Sequence, residues 1–321
     1  MSRRGFTVIE LVVVMAVIGL LCALLTPAIM SARGAARKMT CSSHLRQLGL
    51  ASANYSSTHN CMPPGAINYY SWLVMLLPYV DQVSLYGQFE FSGNETNAFR
   101  ADNLHPVSKA YISVFKCPAD PLAGARVHDG PTHSYHGCTG SGLLQGGFNG
   151  LIRLSFQGCV LGSFPLGIVR LSDVPNGLSN TVMASERLIG DGSGHLLRNN
   201  WTMTTSYGAP SELDAFRAAC LVETPRAIAG GGWYGTPTSG HQWWEGSIGY
   251  SLYNHMMTPN ERSCDHGNGP EFGAYTASSL HLGGVNVVFG DGHATFVSQN
   301  VDSVVWAKMG SRVDRDLSPC P

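Results

Sequence analysis

The sequence predicts an α+β protein: one long N-terminal helix packed on an antiparallel β-sheet body with loop-rich insertions. Three observations predict it. Residues 6–30 form an apolar run, a helical pattern continues beyond that run in amphipathic form, and the C-terminal region alternates apolar and polar residues about an Asp-Gly turn. The composition agrees with a turn-rich, β-containing body. Charged residues are 13% of the chain, against roughly 25% in an average soluble domain, and 38 glycines and 17 prolines mark many turns.

With 321 residues and 44% hydrophobic content the chain can build a sizeable core. Its formal charge of -1 and pI near 6.8, with no run of lysine and arginine, lack the electrostatic footprint of a nucleic-acid binder. Nucleic acid is not an expected partner.

From Phe6 to Met30 there are 25 residues whose only charge is Glu10. About 20 apolar residues suffice for a helix to cross hydrocarbon, so this segment can span a bilayer. The residues ahead of it, Met1-Ser2-Arg3-Arg4-Gly5, are polar, and the small-residue cleavage site of a secretory signal does not follow the run. Arg3 and Arg4 favour a cytoplasmic N-terminus, whereas Arg33, Arg37 and Lys38 lie just past the other end, so charge alone leaves orientation open. Glu10 is costly in low dielectric. It either snorkels to the headgroups or meets a cation.

After Met30, Cys41, Leu45, Leu48 and Tyr55 recur on one helical face. The helix is therefore expected to run from about Phe6 to about Ser57, to bend near Pro27, and to stop before Met62-Pro63-Pro64-Gly65. Roughly 50 residues at 1.5 Å each make about 75 Å, too long for a bilayer alone. Half of it belongs to lipid or to neighbouring subunits. The implied organisation is a leader at 1–5, a transmembrane segment at 6–30, an amphipathic continuation at 31–60 and a body at 61–321.

In the body, Tyr70 to Tyr79 reads as a short buried helix ended by Pro78, with a second turn segment from Val80 to Tyr86. Val114 to Pro118 reads as an edge strand, and the glycine-rich stretches at 137–150 and 229–240 read as loops. Phe164 to Leu171 and Thr181 to Ser185 read as strands joined by the turn-rich Asp173-Val174-Pro175-Asn176-Gly177. Gly284 to Phe289 and His293 to Val297 flank Gly290-Asp291-Gly292, the signature of a hairpin.

Arg4-Gly5-Phe6-Thr7-Val8-Ile9-Glu10-Leu11 closely resembles the class III signal of type IV pilins and type II secretion pseudopilins. The resemblance implies that prepilin peptidase cuts between Gly5 and Phe6 and that Phe6 is then N-methylated. Cleavage would create an ammonium at Phe6, four residues before Glu10, which a neighbouring subunit's Glu10 could neutralise. Glu10 then acts as a docking device. Further along, Cys41-Ser42-Ser43-His44-Leu45-Arg46-Gln47, Pro63-Pro64-Gly65, Leu77-Pro78-Tyr79, Cys117-Pro118, Gly177 to Thr181 with Glu186, and an H-x9-D-G pattern of His281, Asp291 and Gly292 occur in order. Together they are similar to the pilin-like family catalogued as a domain of unknown function (fifteen-fifty-nine). That resemblance implies a pilin-like fold, surface assembly and no known reaction; Ala119 after Cys117-Pro118 and the extra cysteines depart from the family pattern.

Nine cysteines occur, of which only Cys22 lies in the apolar run, and none shows tight C-x2-C spacing. Up to four disulfides in an oxidising compartment is the economical reading; Cys41 with Cys117 is the pairing we favour, although spacing does not decide it. Among twelve histidines, His133 with His136 and Asp265-His266 are the best local metal candidates. No metal is expected there, because two rings three apart on a strand face opposite sides. His281 and Asp291 are too far apart along one hairpin strand to pair, leaving His281 to cap the hairpin's open end or to contact Glu186. No nucleophile elbow, P-loop or dinucleotide fingerprint occurs, so no catalytic residue, reaction or cofactor is assigned.

The expected function is a pilin-like or pseudopilin subunit of a type IV pilus or type II secretion-like system. Its expected partners are prepilin peptidase, neighbouring subunits and the lipid bilayer. Its expected place is the cytoplasmic membrane as a single-pass protein, with the N-terminus inside and the body outside. The alternative is a membrane-anchored glycan- or ligand-binding module that uses the aromatic stretch from Trp233-Tyr234 to Trp243-Trp244. A third reading, a metal-dependent hydrolase, requires stoichiometric metal in the purified protein.

Overall fold

The computed structural model describes residues 7–67, 70–89, 91, 109–127, 130–142, 149–153, 167–192, 195–202, 213–222, 239–265 and 273–313. A single helix, α1 (Val8–His59), runs unbroken through Pro27 for 52 residues, close to 78 Å at 1.5 Å per residue. Thr7 caps its start and Asn60, with φ 56°, ends it in the left-handed conformation. Side chains from Val8 to Met30 are exposed, and Cys41 is the first residue of the helix to be buried. The helix is thus an exposed apolar stem whose last third joins the body.

Two short helices follow, α2 (Trp72–Leu76), capped by the Ser71 hydroxyl, and α3 (Val83–Tyr86). A 3-10 turn at Leu77–Tyr79 forms where Pro78 interrupts the first of these, as its missing N–H requires. All of Trp72 to Leu77 is core. The small hairpins β1 (Ala66–Ile67) with β2 (Tyr70–Ser71), and β3 (Arg126–Val127) with β4 (Gly130–Pro131), lie outside the main sheet.

That sheet holds β5 (Tyr135–Cys138), β6 (Val182–Glu186), β8 (Leu252–Tyr253), β11 (Gly284–Phe289) and β12 (Ala294–Ser298), in the order β12-β11-β6-β5-β8. Only the β5–β8 pair is parallel. A second sheet joins β7 (Asn200–Thr202), β9 (Ser263–Asp265) and β10 (Gly273–Ala274), in the order β10-β9-β7. A satellite core with α4 (Leu213–Val222) lies beside it: Phe216, Cys220, Trp201, Met256, Met257 and Cys264. The last helix, α5 (Ser303–Gly310), is capped by the Asp302 carboxylate.

The face of α1 carrying Cys41, Leu45, Leu48, Ala51 and Tyr55 packs on this sheet, chiefly on β11 and β12, and forms one continuous core with α2. The predicted C-terminal hairpin is present, with Val285 opposite Val297 and Val287 opposite Thr295. Of its turn residues only Gly292, at φ 91°, has positive φ; Asp291 instead uses its carboxylate to accept from the His293 backbone N–H at 3.0 Å.

Several expectations are corrected. Val114 to Pro118 is not an edge strand: Ser113–Phe115 is a 3-10 turn, since Cys117 must turn toward α1. Gly137 and Cys138 belong to central strand β5 rather than to a loop, and Ile152 and Leu252 leave no room for a Cβ on Gly137. The described part of the predicted strand at 164–171, Gly167 to Leu171, contributes only an isolated bridge from Arg170 to Cys61 before a 3-10 turn. Two disulfides form among the described residues, Cys41–Cys117 and Cys220–Cys264, while Cys61 and Cys138 are buried free thiols. Cys159, Cys320 and residues 229–238 lie outside the described residues.

Candidate functional sites

The N-terminal site begins at Thr7, because Gly5 and Phe6 lie outside the described residues. Glu10 Oε2 accepts from the Thr7 backbone N–H at 2.8 Å and from the Thr7 hydroxyl at 2.7 Å. The Thr7 hydroxyl oxygen in turn accepts from the Glu10 N–H at 3.4 Å. This reciprocal pair is a capping box, which satisfies N–H groups that have no partner within the helix. The reading of Glu10 as snorkelling or docking overlooked this local role, yet its signal, a threonine three residues before a glutamate ahead of an apolar run, was in the sequence.

The second site is buried where the stem helix meets the body. The register that pairs Val287 with Ser185 brings Glu186 abreast of Asn286. Asn286 donates its backbone N–H to Glu186 Oε2 at 2.8 Å and its side-chain amide to Oε1 at 2.9 Å. His281 Nε2 donates to the same Oε1 at 3.1 Å, and both side chains are almost wholly buried. Ser279 Oγ accepts from the His281 N–H and donates to the Gly284 carbonyl, fixing the loop that carries the histidine. Cys117 Sγ lies 3.6 Å from both Glu186 Oε1 and His281 Nε2, and the disulfide ties it to Cys41 on the stem. The Tyr135 hydroxyl donates to the carbonyls of Cys41 and Lys116, closing the same junction.

The H-x9-D-G residues are therefore split by the fold. His281 enters the buried junction, while Asp291, half exposed, meets the ring of His293 at 2.6 Å and Gly292 packs under the stem. Of the two roles left open for His281, contact with Glu186 is the one observed.

The rings of His133 and His136 do not face opposite sides. They stack at 4.9 Å; only His136 lies in strand β5, so strand alternation does not relate the two rings. Both are fully buried and neither ring completes a hydrogen bond among the described residues. Burial, then the charge of His241 nearby, pushes the His133 imidazole down to about 3, and burial lowers His136 in the same direction; the Gly240 and Tyr250 carbonyls only partly oppose this. Buried rings kept neutral in this way are core elements. Trp243 and Trp244 are core as well, and Trp243 donates to the Ala110 carbonyl, so neither forms an exposed sugar-facing platform. Trp233, Tyr234 and His266 lie outside the described residues.

Two buried arginines escaped sequence reading. Arg198 forms a two-pronged pair with Asp120 at 2.9 and 3.2 Å, and Arg187 is held by the Gly249 carbonyl, Asn200 and Ser263. Burial pushes the Arg187 guanidinium down to about 10. Nothing in residue spacing marks either, since these partners lie 13 to 78 positions away, in turns as well as strands.

A family model described as Protein of unknown function (DUF1559) matches residues 30–304. The chain belongs to this family. A second model, the prokaryotic N-terminal methylation motif, matches residues 1–26. No curated protein and no solved structure matches the chain. The methylation motif marks this DUF1559 protein as a pilin-type substrate of prepilin peptidase, and the exposed apolar stem fits a single-pass membrane anchor.

Proposed function

We infer that this protein is a structural subunit of a pilin-like or pseudopilin assembly, held in the cytoplasmic membrane by residues 6–30 with its body outside. The observation that carries this reading is the union of the methylation motif with a stem whose apolar residues are exposed from Val8 to Met30 and buried only from Cys41 onward. An apolar surface of that length needs lipid or a second stem to cover it. The two disulfides support an oxidising, extracytoplasmic setting for the body. Its work is assembly rather than turnover.

In this reading Glu10 does two jobs. Both capping contacts use Oε2, and Oε1 is available to the Phe6 ammonium of a neighbouring subunit. The experiment is mass spectrometry of the mature N-terminus together with assembly of Glu10→Ala. A methylated Phe6 and lost assembly with normal membrane insertion are expected. An intact Met1, or Glu10→Ala that assembles like the parent, overturns the reading.

A further inference from the structure

The ligand atoms of Cys41, Cys117, Glu186 and His281 all lie within 4.8 Å of one another, and all four residues are buried. They come from the stem helix, the turn before β3, the end of β6 and the loop before β11. A zinc ion bound tetrahedrally by sulfur at about 2.3 Å and by nitrogen and oxygen at about 2.0–2.2 Å would set its ligands roughly 3.3–3.8 Å apart. Cys117 Sγ already stands 3.6 Å from both the carboxylate and the imidazole. The hydrogen-bonded His281 Nε2 and Glu186 Oε1, 3.1 Å apart, fall slightly short of that range, and the two sulfurs, being bonded, fall far short of it.

A purely structural disulfide has no need of this setting. Burying an imidazole and a carboxylate beside it is expensive, and apolar residues of similar volume serve stability as well or better. The surroundings are instead those of a ligand set. Asn286 holds both oxygens of Glu186, and Ser279 fixes the His281 backbone, the kind of outer support that orients metal ligands. A small cleft, with room for about one water-sized sphere, borders Cys117, Glu186, Ser134 and Ser279. Sequence spacing could not show this set, since its members are separated by 76, 69 and 95 positions.

We propose that the Cys41–Cys117 disulfide and a four-coordinate zinc site are alternative redox states of one buried cluster. A dithiol reductant of the thioredoxin class breaks the S–S bond by delivering two electrons and two protons, giving two thiols and an oxidised carrier. Zinc then displaces both thiol protons and binds two thiolates, the Glu186 carboxylate and neutral His281 Nε2. A disulfide carrier of the same class takes two electrons from the two thiolates and two protons from water, becoming a dithiol; the S–S bond re-forms, zinc leaves as Zn²⁺, and the clasp between stem and body is restored.

The test uses the full chain in detergent, reduced anaerobically, incubated with zinc or cobalt and desalted. One zinc per reduced chain and none per oxidised chain are expected. Cobalt should give the intense visible bands of a tetrahedral ion and a thiolate charge-transfer band. Cys41→Ser/Cys117→Ser should lose the metal, and His281→Ala should weaken it at least tenfold. The His281→Ala protein is verified as folded by its Cys41–Cys117 cross-link in non-reducing peptide maps. A reduced chain that takes up no stoichiometric zinc overturns the proposal, as does zinc retained by the double serine variant, which would place it on other thiols. A reduced chain that loses its near-ultraviolet circular dichroism and does not regain it with zinc overturns it too, because the fold must hold the four side chains without the bond.

Discussion

Gly49 of the stem helix and Gly292 of the hairpin turn meet backbone to backbone: a Cβ on Gly49 would lie 2.7 Å from Gly292 Cα and 2.7 Å from Val288 Cγ2. This contact sets how closely α1 approaches the β11–β12 hairpin. About three turns nearer the N-terminus on nearly the same face, Lys38 also holds the hairpin, its ammonium 3.1 Å from the centre of the Phe296 ring.

Gly49→Ala should therefore destabilise the body, by about 1–3 kcal/mol as in other overpacked cores. Gly34 lies on the same helix with nothing within 4 Å. Gly34→Ala should be neutral or stabilising by up to about 1 kcal/mol through helix propensity. Urea unfolding midpoints of the two variants check the contrast; equal effects would dismiss the close approach.

Removing the Cys41–Cys117 clasp by Cys41→Ser/Cys117→Ser should cost about 2–5 kcal/mol, since the bond closes a long loop in the unfolded chain. The sequence separation is 76 residues, against 44 for Cys220–Cys264. The clasp also joins stem to body. Limited proteolysis should cut the double variant near residues 31–40, where the parent resists.

Stability should fall in mild acid because of the buried histidines. His133 and His255 are both pushed down to about 3, mainly by burial, and His136 moves the same way. In the unfolded chain each titrates near 6.5. Below that pH the unfolded state binds more protons than the native one, so stability is full above about 6.5 and declines as pH drops toward about 3. Each such group removes up to about 1.4 kcal/mol per pH unit across the window. Urea midpoints at pH 7, 6 and 5 should decline more gently for His133→Phe than for the parent; an unchanged slope would rule out His133 as a contributor.

Thr7→Val separates the two jobs of Glu10. It removes the hydroxyl half of the capping box, a loss of about 1 kcal/mol in helix capping, while keeping the carboxylate. Assembly should survive in Thr7→Val and fail in Glu10→Ala, scored by filament or cross-linked oligomer yield. Equal failure of both would assign Glu10 to capping alone.

What could be read ahead of the structure was local. The 3.6-residue recurrence of Cys41, Leu45, Leu48 and Tyr55 is the buried face of α1, and Asp291-Gly292 is the hairpin turn. The Trp72–Leu76 helix ending near Pro78 follows from proline's missing N–H. Misreadings arose where tertiary contacts override local pattern. Val114 to Cys117 is apolar enough for a strand, yet it turns so that Cys117 reaches Cys41. His133 and His136 stack although three apart, since His133 lies ahead of β5 and strand periodicity applies only inside a strand. Trp243 and Trp244, for which clustering favoured core over a sugar-facing loop, are packed.

By itself the sequence determined the processing signal, the apolar stem, its amphipathic continuation and the terminal hairpin, because steric preferences and hydrophobic periodicity act over a few residues at a time. Only the tertiary structure decided that His281 faces Glu186 and Cys117 while Asp291 does not, and that both glycines at 49 and 292 are contact points. Those pairings join positions tens to hundreds of residues apart. They are set by the register between β6 and β11 and by the seating of α1 on the sheet, neither of which any short stretch of chain encodes alone.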